Sequence, residues 1–335
     1  SPFFLEGGLM NSEMFDWYEQ ALAPISQENP TGVDPREDVS PQSAYYRLKD
    51  QRMAARNAER NALIEEESIY THSNLWRVFI EEVPEILTNQ SKDLEFVAWL
   101  IEALTRLYGF RGMGVGYKLA TEFIEKFWDD LYPMPDEDGI ETRISAITGL
   151  NGIDSEGTLI FPIACIPLTD VGVEQAYAYW EYQQAIELER LDEDKRRNRV
   201  DLGATELSDI TTTVKSTSDS FYRELIADLE FATESFNEFS QRLDEAVGDV
   251  RLADGHLEAR RPVRAHLDGA DLGDAPDIVT AQVDEHDVFR PLLFIRRQFP
   301  RQRFVCCGVM APGPSSGNWS VRHFPVLNPY QHLRR

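Results

Sequence analysis

Apolar residues along the first 250 positions recur at steps of three and four, and clusters of Pro, Gly and Asp interrupt them. This pattern predicts a chain of amphipathic helices joined by corners. The first helix is predicted from about Ser12 to Ala23, with Ser12 as cap, Phe15, Tyr18 and Leu22 on one face, and Pro24 as its end. Residues 24–41 hold Pro24, Pro30, Pro35, Pro41 and Gly32, a turn segment. A helix from about Gln42 to Glu67 follows. Tyr45, Leu48, Ala55 and Leu63 lie on its apolar side, with Arg47, Arg52, Arg56 and Arg60 on the others. Trp76, Phe79, Ile80, Val83 and Leu87 form the stripe of a helix over 73–87 that Pro84 is expected to kink or end. Ser91 is the expected cap of the next helix, which carries Phe96, Leu100, Leu104 and Leu107 inward. Gly109 is placed to stop it in a left-handed conformation. Residues 109–116 then turn the chain into a helix bearing Tyr117, Ala120, Phe123, Phe127 and Trp128.

Residues 132–139 (YPMPDEDG) read as a loop, and 140–151 as a short helix around Ile144 and Ile147. The apolar, proline-broken run 157–169 predicts a short strand or extended buried segment. A helix is predicted from about Val173 to Glu189, and the charged run 191–199 reads as solvated. From Thr205 to Val247, Phe221, Leu225, Leu229, Ala232, Phe236, Phe239 and Leu243 keep helical spacing. This stretch either docks on the preceding helices or begins a second domain. The fold class is therefore mostly α: a multi-helix N-terminal domain with Pro/Gly-rich connecting loops and one short extended segment near 157–169. Residues 1–13 read as a leader or cloning scar, 14–200 as a helical domain, 201–250 as an amphipathic extension, and 251–335 as an unassigned tail.

Composition sharpens this picture. Among 335 residues, 42% are hydrophobic and 11% aromatic, enough for a real core. The formal charge of −25 argues against nucleic acid and anionic membrane surfaces as main partners. That charge is uneven. Residues 256–335 hold eleven Arg against eight acidic residues, or +3, which leaves −28 on the rest. Five of the six His lie in this tail, and helical periodicity stops there. The segment disagrees with the rest on every compositional axis, so it reads either as a basic partner-binding tail or as foreign sequence. Cys165, Cys306 and Cys307 show neither a CxxC nor zinc spacing, which suits a reducing compartment. No run approaches a membrane span, and a cytoplasmic location is expected.

No motif demands catalysis or a cofactor. Gly116-Tyr117-Lys118-Leu119 lacks the Gly-Lys-Ser/Thr of a phosphate loop, and Tyr117 stands where a dinucleotide fingerprint needs its third Gly. Asp136-Glu137-Asp138-Gly139 lacks the alternating ligand order of a calcium loop. Carboxylate pairs for glycoside hydrolysis are set by spatial distance and stay open at this level. Cys165 lies in an apolar run and reads as a small core residue. Arg52, Arg56 and Arg60 share one side of a helix and are expected to pair with the acidic loop 136–138.

Taken together, Pro24-Ile25-Ser26…Pro30…Gly32…Asp34-Pro35-Arg36-Glu37-Asp38, Leu48-Lys49-Asp50…Arg52…Ala55-Arg56…Glu59-Arg60 and Ser91-Lys92-Asp93-Leu94-Glu95 form an ordered set. It continues through Trp99-Leu100…Glu102-Ala103-Leu104…Gly109-Phe110…Gly112, Trp128…Leu131-Tyr132-Pro133…Asp136-Glu137-Asp138-Gly139…Arg143 and Leu150-Asn151-Gly152. The set resembles the ImpA N-terminal domain family, the N-terminal domain of TssA-type subunits of type VI secretion, over about residues 14–170. The resemblance implies a cytoplasmic, non-enzymatic scaffold that contacts the baseplate and the tail tube and sheath, with self-association through a C-terminal region not recognisable here. The expected partner-binding residues are Asp34, Arg36, Asp136, Glu137 and Asp138; no cofactor or metal is expected. Competing expectations are a carboxylate- or cation-dependent hydrolase using the acidic loops, and a helical oligomerisation module built on 205–247.

Overall fold

The computed structural model describes residues 16–64, 69–152, 157–170 and 176–253, with the side chains of 64, 69–71 and 249–253 excepted. The tail 254–335, with its charge reversal, and Ser12 and Phe15 of the first predicted helix therefore lie outside the described residues. The described residues are mostly helical. In order come α1 (Trp17–Ala21), α2 (Ala44–Ile64), a 3-10 segment (Ile69–Trp76), α3 (Arg77–Asn89) and α4 (Leu94–Phe127). A short 3-10 turn (Trp128–Asp130), α5 (Ile140–Thr148), α6 (Ile160–Ala164), α7 (Tyr179–Glu189), α8 (Glu193–Asp201), α9 (Leu207–Ser216) and α10 (Asp219–Ala253) follow. Among the described residues there is no strand, only isolated bridges.

The centre of the fold is α4, which is two helical limbs joined by an elbow. At Gly109 the backbone takes φ 58°, ψ −141°, a conformation open to glycine alone. The limbs fold back on each other so closely that a Cβ on Gly112 would lie 2.2 Å from the Leu104 carbonyl oxygen, and one on Gly116 2.6 Å from Ile101. Residues 110–116 are thus helix, not the loop the glycines predict. The glycines clear one face of the second limb for the first. Gly114 points the other way, where a Cβ would meet the Phe231 ring at 2.5 Å. That ring belongs to α10, which runs along the second limb. The predicted apolar stripe of α10, Phe221 through Val247, is buried against α4, with Tyr117 between Phe236 and Phe239. The same hydrophobic core reaches from Ala21 to Val247. The stripe that an oligomerisation module on 205–247 would need is consumed within the chain.

Other expectations change in detail. Pro84 neither ends nor replaces α3, which continues to Asn89 with Pro84 buried. The lost backbone hydrogen bond is offset in part by burial of the ring. The run 157–169 is not an extended segment. It forms α6, whose Pro162 sits in the first turn, where its missing N–H costs nothing. Extended pairing is limited to a bridge between Pro167 and Ala178. The predicted helix over 173–189 begins at Tyr179, with Glu181 accepting from the Ala178 N–H at 3.0 Å. A break at Thr217-Ser218 splits the 205–247 pattern, and the Ser218 hydroxyl accepts from the Phe221 N–H at 3.2 Å. Helix α8 buries none of its residues, as its charge pattern predicts. Cys165 is buried.

A candidate contact surface at the loop junction

Three loops that the sequence sets far apart meet at one place. Residues 90–94 run between 31–33 and 131–133. Lys92 N–H donates to Thr31 O at 2.8 Å, and Val33 N–H to Gln90 O at 3.1 Å. On the other side Tyr132 N–H donates to Lys92 O at 3.0 Å, and Leu94 N–H to Tyr132 O at 2.8 Å. The approach at Gly32 needs glycine twice over. Its φ is +76°, and a Cβ would lie 2.1 Å from Gln90 O. The peptide Tyr132–Pro133 is cis. Arg143 of α5, buried beneath it, donates to Pro133 O at 3.1 Å and Trp128 O at 2.6 Å, and stacks over the Trp128 ring.

Arg36 ties the junction to the helices. Its guanidinium reaches Asp34 at 3.0 Å, Asp93 at 2.7 Å and Glu95 at 2.7 Å, and lies over the Tyr45 ring. Burial works against its charge, but Asp93 and Glu95 outweigh it and raise the Arg36 pKa. Tyr45 donates its hydroxyl to Glu95 at 3.0 Å. The other oxygen of Asp93 accepts from the backbone N–H groups of Glu95 and Phe96. Asp93, not Ser91, therefore caps α4; the expected Ser91 hydroxyl is buried instead. Below the junction lies Lys92, fully buried. It donates to Ala21 O at 2.7 Å and Leu87 O at 2.5 Å, near the C-terminal ends of α1 and α3, and faces the Phe123 and Phe127 rings. Burial lowers its pKa to about 8.

The sequence-predicted residues fall into two groups. Asp34 and Arg36 meet inside the junction and bind each other. Asp136, Glu137 and Asp138 point outward on the neighbouring loop. Asp136 accepts from the Asp138 N–H and the Thr142 hydroxyl, which lower its pKa. The expected pairing of Arg52, Arg56 and Arg60 with this loop does not occur. Arg52 and Arg56 instead pair with Glu102 of α4, fully buried, and Arg60 bonds Asn57. Arg106 pairs with Glu59 at 2.7 Å and lies 3.8 Å over the Trp76 ring, whose N–H also reaches Glu59. The reason is reach along the helix. Glu102 and Arg106 stand one turn apart on α4, facing the Arg52, Arg56 and Glu59 turns of α2, so charges interleave.

The outer side of the junction combines apolar and acidic groups, and periodicity gives no sign of it. Val33, Val39 and Met134 are exposed at 58%, 78% and 43%. Tyr132 is half-buried, its hydroxyl 3.4 Å from Gly32 O, next to Val33 in the chain. Burial, then the charges of Asp34, Glu37 and Asp130, raise its pKa. Among the described residues no group of three potential metal ligands converges, and no helix is long and apolar enough to cross a membrane.

Comparison with known proteins fits this geometry. Residues 22–152, which contain all three loops, match the family described as ImpA, N-terminal, type VI secretion system. A solved structure of the N-terminal domain, including the conserved ImpA_N region, of the TssA component of the type VI secretion system from Burkholderia cenocepacia is similar. It is 25% identical with a TM-score of 0.55, over 74% of this chain and 88% of that one. No curated protein matches the chain.

Proposed function

Because residues 22–152 match the family described as ImpA, N-terminal, type VI secretion system, we propose that the chain is a scaffold of that apparatus. It acts by contact with other proteins and not by catalysis, in the cytoplasm, against components of the baseplate and of the tail tube and sheath. One observation carries this reading. The polar groups at the loop junction are spent on holding three loops in place, while the outward groups are left to meet something else. A surface held rigid before contact loses less entropy on binding. Of the five candidate residues, Asp136, Glu137 and Asp138 make the contact. Asp34 and Arg36 shape it from within.

The test is capture of purified baseplate, tube and sheath proteins by the full chain, beside a folded D136N/E137Q/D138N variant. Specific capture weakened by the variant supports the reading and its site. Capture unchanged by the variant keeps the function and removes these three residues from it. No capture by the folded chain overturns the reading.

A further inference from the structure

We propose that the outer face of the loop junction is a docking surface for a basic protein segment with an apolar anchor: Arg or Lys residues around one aliphatic side chain. The proposal rests on the scaffold reading and names the chemistry of the partner. Among the described residues seven large apolar side chains are exposed; Val33 and Met134 fall on the two loops paired with residues 90–94, and Val39 lies six residues further along the first. The other four, Met53, Leu75, Leu191 and Leu202, are scattered along other elements. Tyr132 stands between the two loops with its ring partly open and its hydroxyl held. An aromatic side chain fixed by its surroundings at the middle of a patch is the usual anchor of a protein interface.

Charge selects the partner. Glu37, Asp38, Asp130, Asp136, Glu137 and Asp138, all exposed, lie on the same two segments of chain. The cations on the same segments are not available to balance them. Arg36 is held between Asp34, Asp93 and Glu95, and Arg143 donates inward to the backbone. An acidic or neutral partner would gain nothing from this rim. A basic one is steered onto it, and the apolar centre fixes where it stops. The carboxylates are too spread and too exposed to hold a cation tightly, and Asp136 already accepts from Thr142 and Asp138. The surface therefore suits several separated positive charges on a chain.

The experiment uses the isotope-labelled full chain and three synthetic twelve-residue peptides, followed by NMR titration. The first alternates Arg and Leu, the second replaces each Leu by Ser, and the third replaces each Arg by Glu. The expected result is that the Arg/Leu peptide shifts resonances of residues 33–39 and 130–138, binds at least about tenfold tighter than Arg/Ser, and that Glu/Leu does not bind. D136N/E137Q/D138N weakens Arg/Leu binding about tenfold, with its salt dependence reduced. V33S/M134S abolishes the preference for Leu over Ser while leaving the weak charge-driven binding. Both variants change only exposed side chains, and circular dichroism verifies their fold. Shifts spread over the whole acidic surface, or equal binding of Arg/Leu and Arg/Ser, overturn the proposal. No secretion component enters this experiment. Its failure leaves the scaffold reading standing, and failed capture of those components leaves this result standing.

Discussion

Replacing Glu102 by Gln keeps the shape of a fully buried side chain and removes its charge. In the native protein that charge faces Arg52 and Arg56 directly and Arg106 at 4.0 Å. Burial raises the cost of the carboxylate, yet Arg52, Arg106 and Arg56 together overcome it and hold the Glu102 pKa below the usual range. With Glu102 neutral, Arg52 and Arg56 lose their carboxylate partner, and Arg106 keeps Glu59. Breaking a buried pair from one side costs about 3–5 kcal/mol. The Arg52 and Arg56 side chains remain 19% and 23% exposed and can turn partly to water, so the lower end, about 3 kcal/mol, is expected. With a urea m-value of about 2 kcal/mol/M, the unfolding midpoint falls by about 1.5 M. The pH dependence has a definite sign. A depressed folded pKa gives stability that is present above the unfolded value of about 4.3 and lost as pH falls through the folded value. The gap between native and E102Q protein therefore closes in acid. A midpoint change below about 0.5 M at pH 7, or a gap that does not narrow at low pH, would refute the interleaved-charge account of how α2 is held.

Lys92 gives a slope of the same sign in a higher pH window. Its folded pKa of about 8 lies below the ordinary 10.5, so the unfolded chain binds more protons between these values and stability rises with pH there. Chemical denaturation at pH 8, 9 and 10 should show this rise, up to about 3 kcal/mol, and K92M should flatten it. Gly114→Val puts side-chain atoms where the Phe231 ring and Ala232 backbone already lie; a loss of about 1–3 kcal/mol is expected by urea titration. Gly109→Ala forces a side chain into φ 58°, ψ −141° and should cost about 1–3 kcal/mol, with far-UV circular dichroism nearly unchanged. Arg36→Met leaves Asp93 buried opposite no cation, so proteolysis within 24–41 should accelerate and thermal stability fall.

Helix positions were legible because burial imposes a period on local sequence. The Trp76–Leu87 and Phe221–Val247 stripes are buried as their spacing predicts. The glycines were misread in part because a sequence does not say whether Gly serves backbone conformation or close packing. Gly109 serves the first, while Gly112, Gly114 and Gly116 serve the second. The cap at Asp93 was hidden by Ser91, an equally good capping residue two positions earlier. Partner choice among charges was not legible at all. Arg52 and Arg56 both meet Glu102 of α4, not the most acidic loop. Asp34, Arg36 and the 136–138 run were identifiable as unusual, but the exposed Val33 and Met134 and the half-buried Tyr132 carry no periodic signal. They come together only through backbone pairing of three loops.

The elbow in α4 also dictates an order of events during synthesis. Its two limbs are neighbours in the chain and close on each other as soon as both have left the ribosome. The cover for the outer face of the second limb is α10. The rings that flank Tyr117 belong to Phe236 and Phe239, over a hundred residues later. At about 5–20 residues per second, that face stays bare for on the order of ten seconds in every nascent chain. Ribosome-bound chains stopped before Asp219 should therefore recruit holdase chaperones, and chains stopped after full emergence of α10 should release them.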